Sequence, residues 1–238
     1  MTKPQFLIDL ERDGYVVVPN VIPKEECAAF RDAALEWLES FPYGFSATTG
    51  ARGPMSTCLL AGGLNNRYPV NQKDFVWRIR TQPGILDVFR IAKLAPNGAA
   101  DRGLCVLKGS HLLHEEHFAA IGGFRPEAYE GEKENSYRYP PQDFEWYKRR
   151  TEAIKVCAGE GDLILWDSRT VHWNCSPTST QTCFASYVCY APRDRMSEVK
   201  LTTKLEVFRG RESTTHWPFM NVIPARPTPR TACARSMT

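Results

Sequence analysis

The sequence predicts a strand-rich core with helical flanks, either an α+β arrangement or a barrel with helices at its edges. Three observations lead there. Up to Ala92 the apolar residues recur mainly at helical spacing, around one short β-branched run. From Gly103 onward, short apolar runs alternate with Gly and Asp turns. The chain shows no internal repeat, and its 238 residues suit one domain with a single core.

In chain order, Phe6, Leu7 and Leu10 have helical spacing, and Gly14 stops that helix. Tyr15-Val16-Val17-Val18 follows as a strand closed by Pro19. Pro23 and the acidic pair Glu25-Glu26 open a second helix, whose apolar positions Cys27, Phe30, Ala34, Trp37 and Leu38 fall on one face. Residues 41–72, rich in Gly, Asn, Thr and Pro, read as a long loop. Asp74 to Ala92 is helix-like and broken at Pro83. Leu104 to Leu107 and Ile154 to Cys157 read as strands. Between them lies a tyrosine-rich polar insert from Gly122 to Arg150, with a helix at Asp143 to Arg149. Gly159-Glu160-Gly161-Asp162 is a tight turn that feeds the strand Leu163 to Trp166. Cys183 to Tyr190 is a further strand, and Met196 to Phe208 a last helix. Residues 1–217 form the domain, and the proline-rich stretch 218–238 is an extended or disordered tail.

Composition narrows the function. Apolar residues make up 42% and charged residues 24%, which is ordinary for a globular chain. The net charge of +3 gathers in the tail, where Arg226, Arg230 and Arg235 have no acidic neighbours. A nucleic-acid face would need a basic stripe on folded structure, so no nucleic-acid partner is expected. No apolar run is long enough for a bilayer, and the first residues lack the apolar segment of a signal peptide. The eight cysteines have irregular spacing and no Cys-x-x-Cys, and read as thiols. The expected setting is the cytoplasm, and the expected partner is a small molecule.

The segment most informative about chemistry runs from Gly161 to Asn174. A turn feeds a buried strand, which delivers His172 beside Asp167, Arg169 and Thr170. A rigid strand fixes an imidazole while apolar neighbours keep a pocket dry, which suits a metal ligand. The same spacing also suits a core histidine satisfied by the backbone. Asp167 and Arg169 read as a local salt bridge that holds the strand end.

Together with Gly103-Leu104-Cys105-Val106-Leu107-Lys108-Gly109-Ser110-His111, this segment resembles the phytanoyl-CoA dioxygenase family, and its fungal members most closely. The resemblance extends to Asp13 through Pro19, Phe75 through Gly84, Leu94 through Gly98, Lys155 through Gly159 and Thr214 through Pro218. It therefore spans residues 6 to 224. It implies a double-stranded β-helix, the jelly roll of the cupins, here incomplete. It also implies an oxidoreductase that holds Fe(II) through two histidines and a carboxylate, leaves positions open for 2-oxoglutarate and O₂, and hydroxylates a small organic or lipid-derived substrate.

By the same resemblance His172 is the distal histidine ligand. Two departures matter. The family carries a His-x-Asp pair upstream, whereas this chain has no histidine before His111. Val88-Phe89-Arg90-Ile91-Ala92-Lys93 directly joins stretches that the family separates by several dozen residues, so an internal deletion near Arg90 is expected. Where the family has an arginine to clamp the far carboxylate of 2-oxoglutarate, this chain has Cys183.

His114 and Glu116, in the run His114-Glu115-Glu116-His117, could imitate the missing pair and form a facial triad with His172. The resemblance instead makes this run an exposed, charged helix or loop. His216 and Trp217 read as a segment that docks the C-terminal helix. Two functions follow. One is an Fe(II)/2-oxoglutarate-dependent dioxygenase, and the other is a catalytically inactive, truncated relative of such enzymes.

Overall fold

A computed structural model describes residues 2–41, 45–48, 60–61, 64–65, 70–88, 91–93, 97–123, 137–179, 184–190, 192–214 and 224–225. Helix α1 (Gln5–Asp13) ends where Gly14 turns left-handed at φ 77 and donates its N–H to Leu10 O at 2.8 Å. Strand β1 (Tyr15–Val18) follows at once. Pro23 precedes α2 (Lys24–Glu39), with Glu25 and Glu26 in its first turn, where the helix dipole favours negative charge. The buried face of α2 holds Cys27, Phe30, Ala34 and Leu38, as the periodicity predicts. Phe30 and Cys27 pack with Ile79 of α3 (Asp74–Arg80), Ile85 of α4 (Pro83–Val88) and Val188 in one core cluster.

The strands form two main antiparallel sheets. One has the order β1-β7-β4-β9, where β7 is Leu163–Trp166, β4 is Ile91–Lys93 and β9 is Ala185–Tyr187. The other has the order β6-β5-β8, where β6 is Ala153–Lys155, β5 is Gly103–Leu107 and β8 is His172–Cys175. From β6 to β9 successive strands alternate between the two sheets. The sheets meet across Val106, Val156 and Ala158 on one side and Ile164 with Tyr15, Val17 and Trp166 on the other. These are alternate positions along each strand, as a half-buried pleat requires.

The turn before β7 fixes the entry of that strand. The Asp162 carboxylate accepts from the N–H of Gly159 at 2.6 Å and of Asn20 at 3.0 Å. Arg31 of α2 reaches Glu160 at 2.8 Å and ties the helix to the same turn.

Several expectations need correction. Helical residues outnumber strand residues among those described, so a mostly β chain describes the sheets better than the whole. Ile91-Ala92 continues no helix: Ile91 pairs with Ile164 on one side and Tyr187 on the other, and sheet pairing on both flanks overrides local propensity. In the stretch read as a loop, β2 (Leu60–Ala61) pairs with β3 (Leu64–Asn65). Of the stretch read as an extended or disordered tail, only Pro224–Ala225 is described; it is extended as β11 and pairs with β10 (Ser213–Thr214), which leaves that expectation standing. The last helix, α7 (Glu198–Arg209), starts later than predicted, because the Ser197 hydroxyl caps it by accepting from Lys200 N.

The run His114–His117 is also not a wholly solvated helix. It lies in α5 (His114–Ala120), where Glu115 and Glu116 are exposed but His117 is fully buried. His117 packs among Trp146, Tyr147 and Tyr139, and its Nε2 lies 3.7 Å from the buried Asp143 carboxylate of α6 (Pro141–Lys148). The insert docks through this helix pair, which gives the histidine an apolar partner surface that its local charge pattern does not announce.

Candidate functional site

His172 opens β8 and pairs in register with Val106 of β5. Directly paired residues share a face, so His172 lies on the side of the sheet that carries Val106 and Leu104 toward the opposite sheet. Its ring meets Trp166 edge-on at 5.8 Å, and Trp166 in turn meets Tyr187 at 6.4 Å. Both aromatics belong to the facing sheet rather than to strands adjoining β8. His172 and Tyr187 are solvent-exposed, so the histidine sits at the open mouth of the inter-sheet space, not deep within it. Its Nδ1 is 2.7 Å from Thr170 O, which leaves Nε2 as the nitrogen available to a ligand.

The segment before His172 is held from three directions. Thr170 is buried, and its hydroxyl donates to Gly14 O at 3.0 Å. Val171 N–H donates to the buried Ser110 hydroxyl at 2.8 Å, and Leu107 N–H to Val171 O at 2.9 Å. Asp167 and Arg169 pair at 2.6 Å, and Asp167 also accepts from Arg169 N–H at 2.9 Å. Burial pushes the Asp167 carboxyl up, but the Arg169 hydrogen bonds and charge outweigh it and hold the group below the usual carboxylate range.

Ser110 and Thr170 are therefore positioning residues that the sequence reading missed. The Gly109-Ser110-His111 motif was visible, but its task, receiving a main-chain N–H next to His172, depends on a partner 61 residues away. His111 is buried, and its Nε2 lies 3.0 Å from Glu11 O, so this motif stitches α1 to the start of β8.

The alternative ligands lie elsewhere in function. His114 has both ring nitrogens engaged, Nδ1 with the Tyr147 hydroxyl at 2.7 Å and Nε2 with Arg169 O at 2.6 Å. Glu116 is exposed and faces Arg150 at 3.6 Å. Among the described residues no group of three His, Cys, Asp or Glu side chains converges to hold a metal ion. The described donor set thus does not fit a two-histidine, one-carboxylate iron centre. Cys183, His216, Trp217 and Arg90 lie outside the described residues. A shallow depression lined by Asn97, Gly98, Cys157 and Asp162 involves neither His172 nor His114, and its carboxylate is already committed to the turn.

His114 gives this region a pH dependence. Burial, the largest influence, lowers its imidazole below the ordinary range, against the raising effect of the Arg169 carbonyl. The unfolded chain takes up a proton at this residue near pH 6.5, before the folded chain does. Stability is therefore lost as pH falls through that value. Between about pH 7.5 and pH 5.5 the wild-type urea midpoint should fall more than that of His114→Asn. Parallel declines would remove His114 from the account.

No family model matches the chain. It is 27% identical to the Ava biosynthesis cluster protein O of Aspergillus versicolor, over 88% of this chain and 84% of that protein. The aligned stretch is 264 residues long, which exceeds the 238 residues of the whole chain. The relative therefore carries residues inside the matched region that this chain lacks. Among solved structures, the non-heme, α-ketoglutarate-dependent carbocyclase SnoK of nogalamycin biosynthesis is 16% identical, with 77% of this chain and 81% of that chain covered and a TM-score of 0.49. The apo form of EctD from S. alaskensis is 14% identical, covering 78% and 74%, with a TM-score of 0.48. No helix among the described residues is long and apolar enough to cross a membrane.

Proposed function

We propose that this chain is a shortened relative of the iron- and 2-oxoglutarate-dependent dioxygenases of the phytanoyl-CoA type, with the jelly-roll frame and one ligand position, His172, but without turnover. One observation carries the reading: His172 offers Nε2 at the mouth of the inter-sheet space, yet no second and third ligand converge with it among the described residues. The sequence supports the same view, since no histidine precedes His111 and Cys183 stands where the family has its 2-oxoglutarate arginine. Fe(II) and 2-oxoglutarate would be the family's cofactors, but these residues hold them poorly. The chain is proposed to act in the cytoplasm on a small organic or lipid-derived molecule, which suits a relative from a biosynthesis cluster.

The second reading is an active dioxygenase whose missing block supplies the His-x-Asp pair. The longer matched region of the relative favours it for any form of the protein that retains that block.

Each lost charged hydrogen bond to the co-substrate weakens binding by about 1.5–3 kcal/mol, so two such losses cost about two to four orders of magnitude in affinity. Incubation with Fe(II), ascorbate and 2-oxoglutarate should release no succinate above the protein-free background, and His172→Ala should change nothing. Succinate release abolished by His172→Ala and by His114→Ala would establish the alternative triad and overturn the proposal. Release abolished by His172→Ala alone would point to another carboxylate, with Asp167 the first to examine.

A further inference from the structure

The outer face of the three-stranded sheet carries a thiol pair that the proposed function does not use. The register of β5 with β8 sets Gly103 opposite Cys175 and Cys105 opposite Trp173. Residues two apart on one strand share a face, so Cys105 and Cys175 are diagonal neighbours on the same side of the sheet. That side is turned away from the inter-sheet core, which Leu104 and Val106 face. Both cysteines are free thiols. Their accessibility differs. Cys105 is 7% exposed, whereas Cys175 is partly exposed and its sulfur lies 3.4 Å from Gly103 O and 3.6 Å from Asp101 O, the acceptors within reach of its one hydrogen.

We propose that Cys105 and Cys175 form a redox-sensitive pair, which a hydroperoxide closes to a disulfide linking β5 to β8. Burial, with the Cys175 thiol beside it, pushes the Cys105 thiol up to about 11. Cys105 therefore stays protonated, and Cys175 is the sulfur that meets the oxidant first. The Cys175 sulfur attacks the peroxide O–O bond and keeps one oxygen as a sulfenic acid, while the other oxygen leaves as water or, for an organic peroxide, as the alcohol. The Cys105 sulfur then displaces the hydroxyl from Cys175, and a second product leaves as water. Two thiols lose two hydrogens and two electrons in all, and the peroxide is reduced by the same two electrons.

Diagonal neighbours in a sheet lie about 7–8 Å apart, beyond the usual span of a disulfide, so closing the bond requires the two strands to draw together. Among the described residues β8 pairs only with β5 in its sheet, which lets it follow. The pair thereby fastens the strand that begins with His172. The chemistry of the pair stands independently of any role for that histidine.

The test is non-reducing peptide mapping of the purified chain after brief treatment with hydrogen peroxide and alkylation with iodoacetamide. The peptides bearing Cys105 and Cys175 should appear joined, two hydrogens lighter than their sum, and dithiothreitol should separate them. The link should persist when Cys157 and Cys189, the exposed thiols, are both changed to serine. It should vanish in Cys175→Ser, whose circular dichroism should match the wild type because that side chain is only partly buried. Two results would overturn the proposal: both thiols alkylated after peroxide while Cys157 or Cys189 is oxidised, or Cys175 joined to Cys58, Cys183 or Cys233. The wild-type measurement decides between these results without any variant.

Discussion

Gly161→Ala should destabilise the chain strongly, and far more than a methyl added at the open turn of Gly122. Gly161 sits at φ 86, a backbone conformation that an L side chain adopts at a cost of about 1 kcal/mol. A Cβ there would lie 2.2 Å from the main-chain oxygen of Ile22 and 3.6 Å from Cys27 Sγ. That oxygen cannot swing away, because Ile22 N–H donates to Gly161 O at 3.0 Å and Ile22 is itself buried in the core. Backbone strain and overpacking together should remove about 2–4 kcal/mol, a fall in Tm of roughly 5–15 °C for a chain of this size. Gly122→Ala is the matched control: its φ is 82, but nothing lies within 4 Å of the added methyl. It should lose only the backbone strain, about 1 kcal/mol. Equal losses at the two sites would refute the steric part of the argument.

Tyr147→Ala should have the largest side-chain effect. Tyr147 is fully buried and packs with Leu107 and Val171, the residues flanking the approach to His172. Its ring also meets His114, His117, Tyr139 and Trp146 at centroid distances of 4.7–5.7 Å. Removing such a ring costs about 3–5 kcal/mol. Tyr147→Phe keeps the packing but leaves His114 Nδ1 without its 2.7 Å partner, so about 1 kcal/mol is expected. Denaturant unfolding of the two variants separates packing from hydrogen bonding. If the alanine variant lost no more than the phenylalanine variant, α6 would not be part of the cooperative core.

The sequence by itself determined the local elements whose signals are local. Gly14 ends α1 because only glycine readily takes the left-handed turn, and the buried face of α2 was legible because its period of about 3.6 is a property of the helix alone. The Gly159–Asp162 turn and the strand leaving it were likewise visible, since Asp162 satisfies its own turn. His172 was singled out by residue type and spacing.

Only the tertiary structure decided what those elements meet. Ile91-Lys93 is a strand because β7 and β9 flank it, and no propensity in three residues carries that information. His117 is buried because an insert helix more than twenty residues later covers it, so its polar neighbours misdirect a local reading. His114 is excluded as a free ligand by Tyr147 and Arg169, partners 33 and 55 residues away. A metal site requires several side chains to converge in space, and a register that fixes one histidine does not fix the others. That is why the sequence could offer His172 only as a candidate, while the absence of a converging set around it among the described residues is a property of the folded chain.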